Sequence, residues 1–589
     1  MSRMDQRQNS ALKTSFFSEV IEILDLLSYK HRVGAIGNIV FSIGIALLEV
    51  FSLTVILPLF YYLLDQGKSW QVPQVMQRAI LSMESVSWIV VVTAVILIFA
   101  LKNILSVWQT HKQLKFLNLL YLDFSRRIYN RFYLLNWNDY AQTNSAETFR
   151  KIKDTPFEFI NYVLNSCFLL ITDVIICLMM VGVIAWFDYR ILFILIILCI
   201  PVFIFYFFFK RNVILKTDRS FRELTPVTNV ILTQGISSYT EARIYQKQNY
   251  FIDKFIDVSR VTTTQLINLK TFTSLPTRIL ETIGVVLFAS MIVYARTVNV
   301  DAQNIVVFIG LISLALYRIM PSFNRILQSL SQIQSYAYTV STLKENLNHS
   351  EEETSAKQTA INFDGGIELR SLSFQYTDKT RSLLLDHINI KISKGDFVML
   401  QGPSGTGKTT LLNILSGVIE DYGGEIIIDN KHRLDKQSIQ AWQSRLGVVS
   451  QSPIILQDTI LHNIAFGEQH DEIDRSKVKV AIALAGINDF IEMLTAGIDT
   501  PIGENGITLS GGQRQRLCLA RALYREPDIL LLDEVTNQLD ENNKVYILER
   551  LQSLCRMGKT VILASHDPVV KQYASHILSL DNKVLTGIK

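Results

Sequence analysis

The first 330 residues of this 589-residue chain contain long runs of Ile, Leu, Val and Phe, whereas the remainder has the composition of a globular α/β protein. A helix needs about 20 mainly apolar residues to cross the roughly 30 Å hydrocarbon core of a bilayer. Segments that meet this requirement are predicted to span a membrane: 34–64, 87–109, 157–187, 191–210, 278–297 and 303–328. Between the first two, 75–83 shows apolar residues at helical spacing, which fits either a short amphipathic helix on the membrane surface or an ordinary loop.

Basic residues are concentrated in the loops that follow the second and fourth apolar segments, whereas the other loops carry only Lys68, Arg78, Arg190 and Arg296. Because cytoplasmic loops are the ones enriched in Lys and Arg, this asymmetry predicts a multi-pass membrane protein with both termini in the cytoplasm. The polar N-terminal stretch, residues 1–19, lacks the short apolar core of a cleavable signal peptide.

Composition excludes some classes of partner and cofactor. The formal net charge of +4 comes without any block of Lys and Arg, so nucleic acid is not an expected partner. Five cysteines are scattered along the chain without the spacing of metal ligands, which predicts buried thiols: Cys167, Cys177, Cys199, Cys518 and Cys555.

Several ionisable residues fall inside the apolar segments, where they are costly and therefore suggest function. Arg318 and Arg325 lie seven residues apart, on one face of the last predicted span, and we expect them to face a water-filled cavity that accepts an anionic substrate. The alternative is that such groups pair with one another or extend to the lipid headgroups. The other ionisable residues in or beside spans are Glu49, Lys102, Asp173, Arg278 and Glu281.

A polar, acidic stretch marks the boundary between the two halves of the chain. We therefore predict a transmembrane domain of six helices in 1–344, a linker in 345–364, and a nucleotide-binding domain in 365–589. The predicted fold is an α-helical transmembrane domain followed by an α/β P-loop NTPase domain.

The second half contains a P-loop between a predicted strand and a predicted helix. The sequence Gly402-Pro403-Ser404-Gly405-Thr406-Gly407-Lys408-Thr409 follows the strand 397–401 and precedes a helical run that begins at Thr410. Its glycines allow backbone N–H groups to close on phosphates at a helix N-terminus. In such loops the lysine reaches the β- and γ-phosphates and the last threonine is a Mg²⁺ ligand. ATP and Mg²⁺ are the expected cofactors.

Acidic and imidazole groups at the ends of two other strands complete the predicted site of ATP hydrolysis. The buried strand 529–533 ends in Asp533, a second Mg²⁺ partner, and Glu534 follows at once, where it can orient or deprotonate the attacking water. His566 follows the strand 561–565 and can reach a γ-phosphate. A lone histidine is more often structural, and a lone acid more often a solvated surface group.

A second anion cradle is predicted at Ser510-Gly511-Gly512-Gln513, which precedes the helical run 514–523. Because the P-loop already holds the phosphates, two cradles in one domain indicate that each nucleotide is sandwiched between two copies of the domain. A homodimer follows from this interpretation.

With these motifs, nearly the whole chain resembles the ATP-binding cassette (ABC) transporters of the exporter type, which work as dimers with twelve spans. The resemblance implies that Tyr376 stacks on adenine and that Gln451 senses Mg²⁺ and couples to the membrane domain. It places Gly503-Glu504 in a loop that relays the state of the site to the partner and Asp540 in the dimer-contact loop. It also places 138–140 and 235–243 near the helices that couple the domains. The implied nucleotide contacts are Tyr376, the P-loop residues 402–409, Thr410 and the residues 510–513.

Two segments depart from the usual pattern of that family. Val535-Thr536-Asn537-Gln538-Leu539-Asp540 stands where Ala-Thr-Ser-Ala-Leu-Asp is common, and Asp567-Pro568 follows His566 where Arg-Leu is common. Neither change removes a catalytic group.

The membrane half is similar to the bacterial PglK-type flippases of lipid-linked oligosaccharides. The residues that carry this similarity are the run 314–326, Glu49 with 58–60, and 136–140. The resemblance implies that Arg318 and Arg325, with Lys102 and Arg278, attract the pyrophosphate of a lipid carrier in the inner (plasma) membrane. The favoured cargo is a polyprenyl-pyrophosphate-linked oligosaccharide. An exporter of another lipid, a peptide or a hydrophobic compound, and a nucleotide-gated channel or regulator, are the alternatives.

Overall fold

The computed structural model describes residues 28–64, 88–187, 224, 227–297, 302–347, 361–376, 383–503, 509–581 and 583–587. The chain divides into two compact units: Met1–Tyr133 with Thr143–Glu351, and Leu134–Gln142 with Glu352–Lys589. The predicted span 191–210, the segment 75–83, Cys199, Glu504 and residues 348–360 of the predicted linker lie outside the described residues.

The first unit is built from long helices. The principal ones are α1 (Tyr29–Leu64), α2 (Trp88–Tyr133), α3 (Asn165–Phe187), α4 (Gln248–Thr297), α5 (Ala302–Ser335) and α6 (Tyr338–Leu347). Helical residues also precede α3, with α-helical turns at Ser145–Phe149 and Thr155–Glu158 and π-helical turns at Arg150–Asp154 and Phe159–Leu164; a further short helix is Tyr239–Ile244.

Three described helices are long and apolar enough to cross a membrane: Tyr29–Ser52, Ile89–Tyr133 and Ser145–Val183. They correspond to the first three predicted spans. The predicted spans 278–297 and 303–328 fall within α4 and α5, respectively. Helix α2 continues to Tyr133, far beyond the apolar segment, as expected for helices that extend out of the lipid.

Polar side chains connect the helices of this unit. Gln109 on α2 donates to Ser42 on α1 at 2.5 Å, and Gln113 on α2 donates to Asn165 on α3 at 3.0 Å. Because apolar side chains gain little by leaving lipid for one another, such hydrogen bonds and close packing hold membrane helices together.

The second unit contains two β-sheets. Strands β1 (Gly366–Phe374), β2 (Leu385–Ser393), β4 (Gly423–Ile428) and β5 (His432–Arg433) form an antiparallel sheet in the order β2-β1-β4-β5. A six-stranded sheet has the order β10-β9-β3-β8-β7-β6. Its members are β3 (Phe397–Gln401), β6 (Leu446–Val449), β7 (Ile529–Asp533), β8 (Thr560–Ala564), β9 (His576–Asp581) and β10 (Val584–Gly587).

Helices cover the six-stranded sheet. They include α7 (Lys408–Leu415), α8 (Gly511–Tyr524) and α9 (Glu541–Arg556), with Arg475–Ala485 between α7 and α8. Shorter helices are Ile439–Gln443, Ile460–Ile464, Asn488–Glu492 and Val570–Tyr573, and single 3₁₀ turns occur at His470–Glu472 and Gly497–Asp499.

Strands β3, β7 and β8 are neighbours and parallel, and every residue of β7 and β8 is buried. Parallel strands covered on both faces read as continuous apolar runs, which is why the sequence predicted them so well. Their carboxyl ends meet at one edge of the sheet, where α/β proteins place their sites.

The segment 134–142, between α2 and the helical turn at Ser145, belongs to the second unit rather than to the first. Within it the helix Trp137–Gln142 presents Trp137 to the core that β1, β2 and α7 enclose. Residues Asn138, Asp139 and Tyr140, which the family resemblance places near a coupling helix, lie on this helix.

Candidate functional site

The P-loop joins β3 to α7, as predicted. Gly402, Gly405 and Gly407 have φ angles of +152°, +81° and +106°, a region that L side chains rarely adopt. A Cβ on Gly402 would lie 2.5 Å from the Leu580 carbonyl oxygen. Glycine is therefore required at Gly402 both for backbone conformation and for space.

Lys408 is the first residue of α7, and its ammonium group bends back towards the P-loop. Nζ donates to the carbonyl oxygens of Gly402 at 2.8 Å and Pro403 at 3.0 Å. Burial lowers the pKa of Lys408, and the negative charges of Glu534 and Asp533 only partly offset this effect. An amine held by neutral carbonyls in this way can turn to phosphate oxygens at little cost.

The predicted magnesium ligands meet at the ends of β3 and β7. Thr409 Oγ1 donates to Asp533 Oδ2 at 2.7 Å. Burial raises the pKa of Asp533 above its usual range; the hydrogen bond from Thr409 opposes this rise and the neighbouring charge of Glu534 adds to it. A hydroxyl and a carboxylate side by side are hard oxygen ligands that fit Mg²⁺.

Glu534 follows β7 in a left-handed conformation with φ of +53°. Its N–H donates to the Ala564 carbonyl at 2.9 Å, and its own carbonyl accepts from the Gln515 side chain at 3.3 Å. A left-handed non-glycine residue is uncommon and costs free energy, and it persists where the surroundings dictate it. Both backbone contacts fix the direction of the Glu534 side chain.

The Glu534 carboxylate is surrounded by amide and imidazole groups. Oε2 accepts from Gln451 Nε2 at 2.9 Å and from Asn537 Nδ2 at 3.0 Å, whereas Oε1 lies 3.3 Å from His566 Nε2. The same His566 nitrogen lies 3.2 Å from Lys408 Nζ. The structure thus brings together the three residues predicted to be catalytic.

Tyr376 stands beside the P-loop helix. Its hydroxyl lies 3.0 Å from Thr410 Oγ1, and its ring makes an edge contact with Phe374 at 5.0 Å between centroids. It is only partly buried, which leaves ring surface for a base to stack on.

The second cradle is the N-terminus of α8. Ser510 and Gln513 form a capping box at the start of the helix. The Ser510 hydroxyl accepts from Gln513 N at 3.2 Å, and the Ser510 N–H donates to Gln513 Oε1 at 2.8 Å. The helix therefore begins at Gly511, three residues earlier than predicted. A Cβ on Gly512 would lie 3.0 Å from the Gln538 carbonyl oxygen, so the segment 535–540 packs on this glycine pair.

The arginines of α5 are each paired with a carboxylate from another helix. Arg325 forms a bidentate ion pair with Asp173 on α3: Nε donates to Oδ2 at 2.8 Å, and Nη2 donates to Oδ1 at 2.6 Å. Arg318 is paired with Glu49 on α1. The sequence predicted two arginines that face an anionic substrate. In the structure each of these arginines is instead paired with a carboxylate of the protein itself.

Lys102 and Arg278 do not join these pairs. Lys102 Nζ lies 4.9 Å from the centre of the Phe99 ring, and Phe99 packs on the same apolar cluster as Ile319. Arg278 is mostly exposed and pairs with Glu281 on its own helix at 2.9 Å.

The four described cysteines form no disulfide. Burial raises the pKa of Cys518, and it raises the pKa of Cys555 to about 12. Within the described part of the chain no group of His, Cys, Asp and Glu has the arrangement of a metal site. The sequence did not single out Gln515 as functional. Asn537 was visible only as a departure from the family pattern.

In comparison with known proteins, residues 385–537 match the model of the ABC transporter domain. The chain carries an ABC transporter domain. This domain contains the P-loop and the Ser510 cradle, and it binds ATP.

Relatives extend the similarity beyond the ABC domain. The chain is 27% identical over 369 residues to the ATP-dependent lipid A-core flippase of Paraburkholderia xenovorans, covering 62% of this chain and 61% of that protein. It is 32% identical over 353 residues to the protein of the same name in Alkalilimnicola ehrlichii, covering 60% and 59%. The aligned part thus spans about three fifths of the length of these relatives.

A solved structure of a bacterial Atm1-family ABC exporter with ATP bound matches with a TM-score of 0.72, covering 95% of this chain and 94% of that one at 20% identity. This similarity shows the fold alone. The chain has the fold of an ABC exporter, with a helical membrane domain ahead of the ABC domain.

Proposed function

We propose that the chain is one half of a dimeric ATP-driven exporter that flips an anionic lipid across the bacterial inner membrane, with both termini in the cytoplasm. The observation that carries this proposal is the convergence of Lys408, Thr409, Asp533 and Glu534 at one sheet edge, in a chain with an exporter fold. The side chains of Ser510 and Gln513 bond to each other's backbone and fix the N-terminus of α8, a helix end that favours anions, and we assign this end to a nucleotide held by a second copy.

Hydrolysis is assigned to the groups around Glu534. Its carboxylate would accept the proton of the attacking water, and His566 and Lys408 would stabilise the charge that develops on the γ-phosphate. Thr409, Asp533 and Gln451 would hold Mg²⁺, which supplies positive charge to the phosphate oxygens. In the proposed cycle ATP binding closes two ABC domains on two nucleotides, and hydrolysis lets them separate.

The test of this scheme is the variant Glu534→Gln in the full chain. It preserves size and hydrogen bonding but removes the base, so the rate of ATP hydrolysis should fall by roughly two to three orders of magnitude. Binding of ATP should persist, and the ATP-bound dimer should accumulate. A variant that hydrolyses ATP at the wild-type rate, or continues to move lipid through many cycles, would refute the assignment and revive the channel alternative.

The proposed cargo is a lipid that carries phosphate groups. Two observations support it: the matched relatives are named lipid A-core flippases, and α5 carries Arg318 and Arg325 on one face. Arginine is suited to phosphate because its fork donates two parallel hydrogen bonds. Within this class we favour a polyprenyl-pyrophosphate-linked oligosaccharide moved from the inner to the outer leaflet. A phosphorylated glycolipid of the lipid A type is the second candidate, which the names of the relatives favour.

The cargo is tested by comparing ATP hydrolysis in vesicles with a polyprenyl-diphosphate oligosaccharide, with lipid A, and with an apolar peptide. Stimulation by either phosphorylated lipid but not by the peptide supports the proposal. The double variant Arg318→Ala, Arg325→Ala should lose this stimulation but still hydrolyse ATP when no cargo is present. If the double variant still transports the phosphorylated lipid, the arginine site is wrong.

A further inference from the structure

Helix α5 is connected to two other helices by ion pairs at the positions of its two arginines. Arg325 holds Asp173 of α3 through Nε and Nη2, which form one edge of the guanidinium, and the Asp173 side chain is only 2% exposed. Arg318 holds Glu49 of α1, with 18% and 16% of the two side chains exposed. Arg318 and Arg325 thus hold two different helices against α5.

The pairs lie among apolar side chains. Ala46, Val50 and Ile176 form a buried cluster on which Ile319 packs, next to Arg318 in the chain. Phe323 and Leu327 are buried on either side of Arg325. A charge in such surroundings is costly unless it is paired, so each guanidinium must keep an anionic partner or meet water.

Both arginines retain capacity for another acceptor. A guanidinium has five N–H donors, and the Asp173 contact uses two nitrogens of Arg325, one of which also reaches Ser322 Oγ at 3.3 Å. The Nε of Arg318 is buried, and among the described residues it has no hydrogen-bond partner. A phosphate oxygen can therefore reach Arg325, whose side chain is 40% exposed, while Asp173 is still bound, and it would supply the partner that Arg318 Nε lacks.

We propose that these ion pairs are a lock that the cargo opens by anion exchange. This inference rests on the proposed function, because it takes the cargo to be a lipid with phosphate groups. The phosphate oxygens replace Glu49 and Asp173 on the two arginines, and the released carboxylates move into water as α1 and α3 separate from α5. Exchange without that separation would leave buried unpaired carboxylates, so cargo binding and helix movement occur together.

The alternative is that the pairs are permanent connections between helices, with no part in transport. The two possibilities predict different effects of neutralising the carboxylates. A permanent connection predicts only lower stability. A lock predicts that the protein behaves as if cargo were already bound, because the population of separated helices rises without any ligand.

The experiment uses the full-length protein in vesicles and the variants Glu49→Gln, Asp173→Asn and their combination. The matched control is Asp257→Asn, which removes a carboxylate from the exposed pair with Arg260 on α4. The first readout is ATP hydrolysis without cargo. The second is the stimulation given by a C55 polyprenyl diphosphate or by lipid A, with uncharged C55 polyprenol as the probe that lacks phosphate.

We expect the double variant to hydrolyse ATP about three- to tenfold faster than wild type without cargo, and to respond little to either phosphorylated lipid. The single variants should show smaller rises, which keeps the test valid if the double variant does not fold. Asp257→Asn should match wild type. The lock would be overturned if both single variants hydrolysed ATP without cargo as slowly as wild type and were stimulated by the phosphorylated lipids as strongly as wild type.

The outcomes separate this inference from the proposed function. If phosphorylated lipids stimulate wild type and the neutral variants equally, the cargo is right and the lock is wrong. If they stimulate none of the proteins, the proposed cargo fails and anion exchange fails with it. A rise in basal activity in the variants would in that case still show that the pairs hold the helices together.

Discussion

Lys544 of α9 lies 2.6 Å from Asp567 Oδ2, in the turn that follows His566. Both side chains are largely buried, 10% and 15% exposed, and Lys544 also reaches Glu541 at 3.0 Å. Asp567 stands where the family usually has a different residue, so this chain uses an ion pair to connect α9 to the loop that carries His566.

We expect Lys544→Met and Asp567→Asn to lower the stability of the protein, because each leaves a buried charge without its partner. The cost should be about 1–3 kcal/mol, visible as a lower melting temperature of the purified full chain. The control is Lys477→Met, which breaks the surface pair with Glu526, where both side chains are 45% or more exposed. Exposed pairs contribute about 1 kcal/mol or less, so the control should change little. Equal losses in all three variants would contradict a special role for Lys544.

The same pair gives a stability that depends on pH. Burial of Asp567 opposes ionisation, but the hydrogen bonds from Lys544 and from the Val569 N–H, together with the charge of Lys544, outweigh it, so the pKa of Asp567 lies below its ordinary 3.8. The hydrogen bonds to Asp567 and Glu541 raise the pKa of Lys544 above its ordinary 10.5. A lowered carboxyl pKa stabilises the folded state above the unfolded value and ceases to do so as pH falls through the folded value.

The difference in melting temperature between wild type and Asp567→Asn should therefore be constant from about pH 5 to pH 9. It should shrink as the pH falls below 3.8, where the unfolded chain begins to bind a proton at Asp567, and it should be smallest once the pH lies below the lowered pKa of the folded state. Thermal unfolding across that range measures it. A difference that grows on acidification would show that the pair does not stabilise the folded domain.

Much of the nucleotide site could be predicted from sequence because its residues follow apolar strands that are buried on both faces. The run 529–533 predicts both a strand and the position of Asp533, and the glycines of 402–407 predict the loop before α7. Local sequence does not reveal the partners of a charged side chain. Arg325 and Asp173 are 152 residues apart, and Arg318 and Glu49 are 269 residues apart, so only the packing of α1, α3 and α5 shows that they meet.

Two P-loop glycines should differ in their response to alanine. Gly402 and Gly405 both have positive φ, so both substitutions strain the backbone. Only Gly402 has a backbone oxygen, that of Leu580, within 2.5 Å of a new Cβ, whereas the space around Gly405 is open to 4 Å. We expect Gly402→Ala to weaken ATP binding more than tenfold, and Gly405→Ala by several-fold at most. Equilibrium binding of a fluorescent ATP analogue measures both, and a reversed order would contradict the geometry.

Asn537 is expected to position the Glu534 carboxylate, the proposed base. It donates to the same Glu534 oxygen as Gln451, so the two amides leave Oε1 directed towards His566. Asn537 lies on the surface of the ABC domain and its side chain is exposed, so its replacement should not disturb the core. Removing its amide frees the carboxylate to rotate away from the attacking water.

The variants Asn537→Ala and Asn537→Asp should therefore lower kcat for ATP hydrolysis by about three- to tenfold and leave KM for ATP unchanged, because a hydrogen bond that acts only on the base does not hold the nucleotide. Asn537→Asp has the same shape but cannot donate, and it adds a like charge beside Glu534, so its loss should be the larger. Asn537→Ser, which restores a donor, should recover part of the rate. The control Asn542→Ala changes an exposed asparagine of α9 and should behave as wild type. If Asn537→Ala raises KM and leaves kcat intact, Asn537 contacts the nucleotide and does not position Glu534.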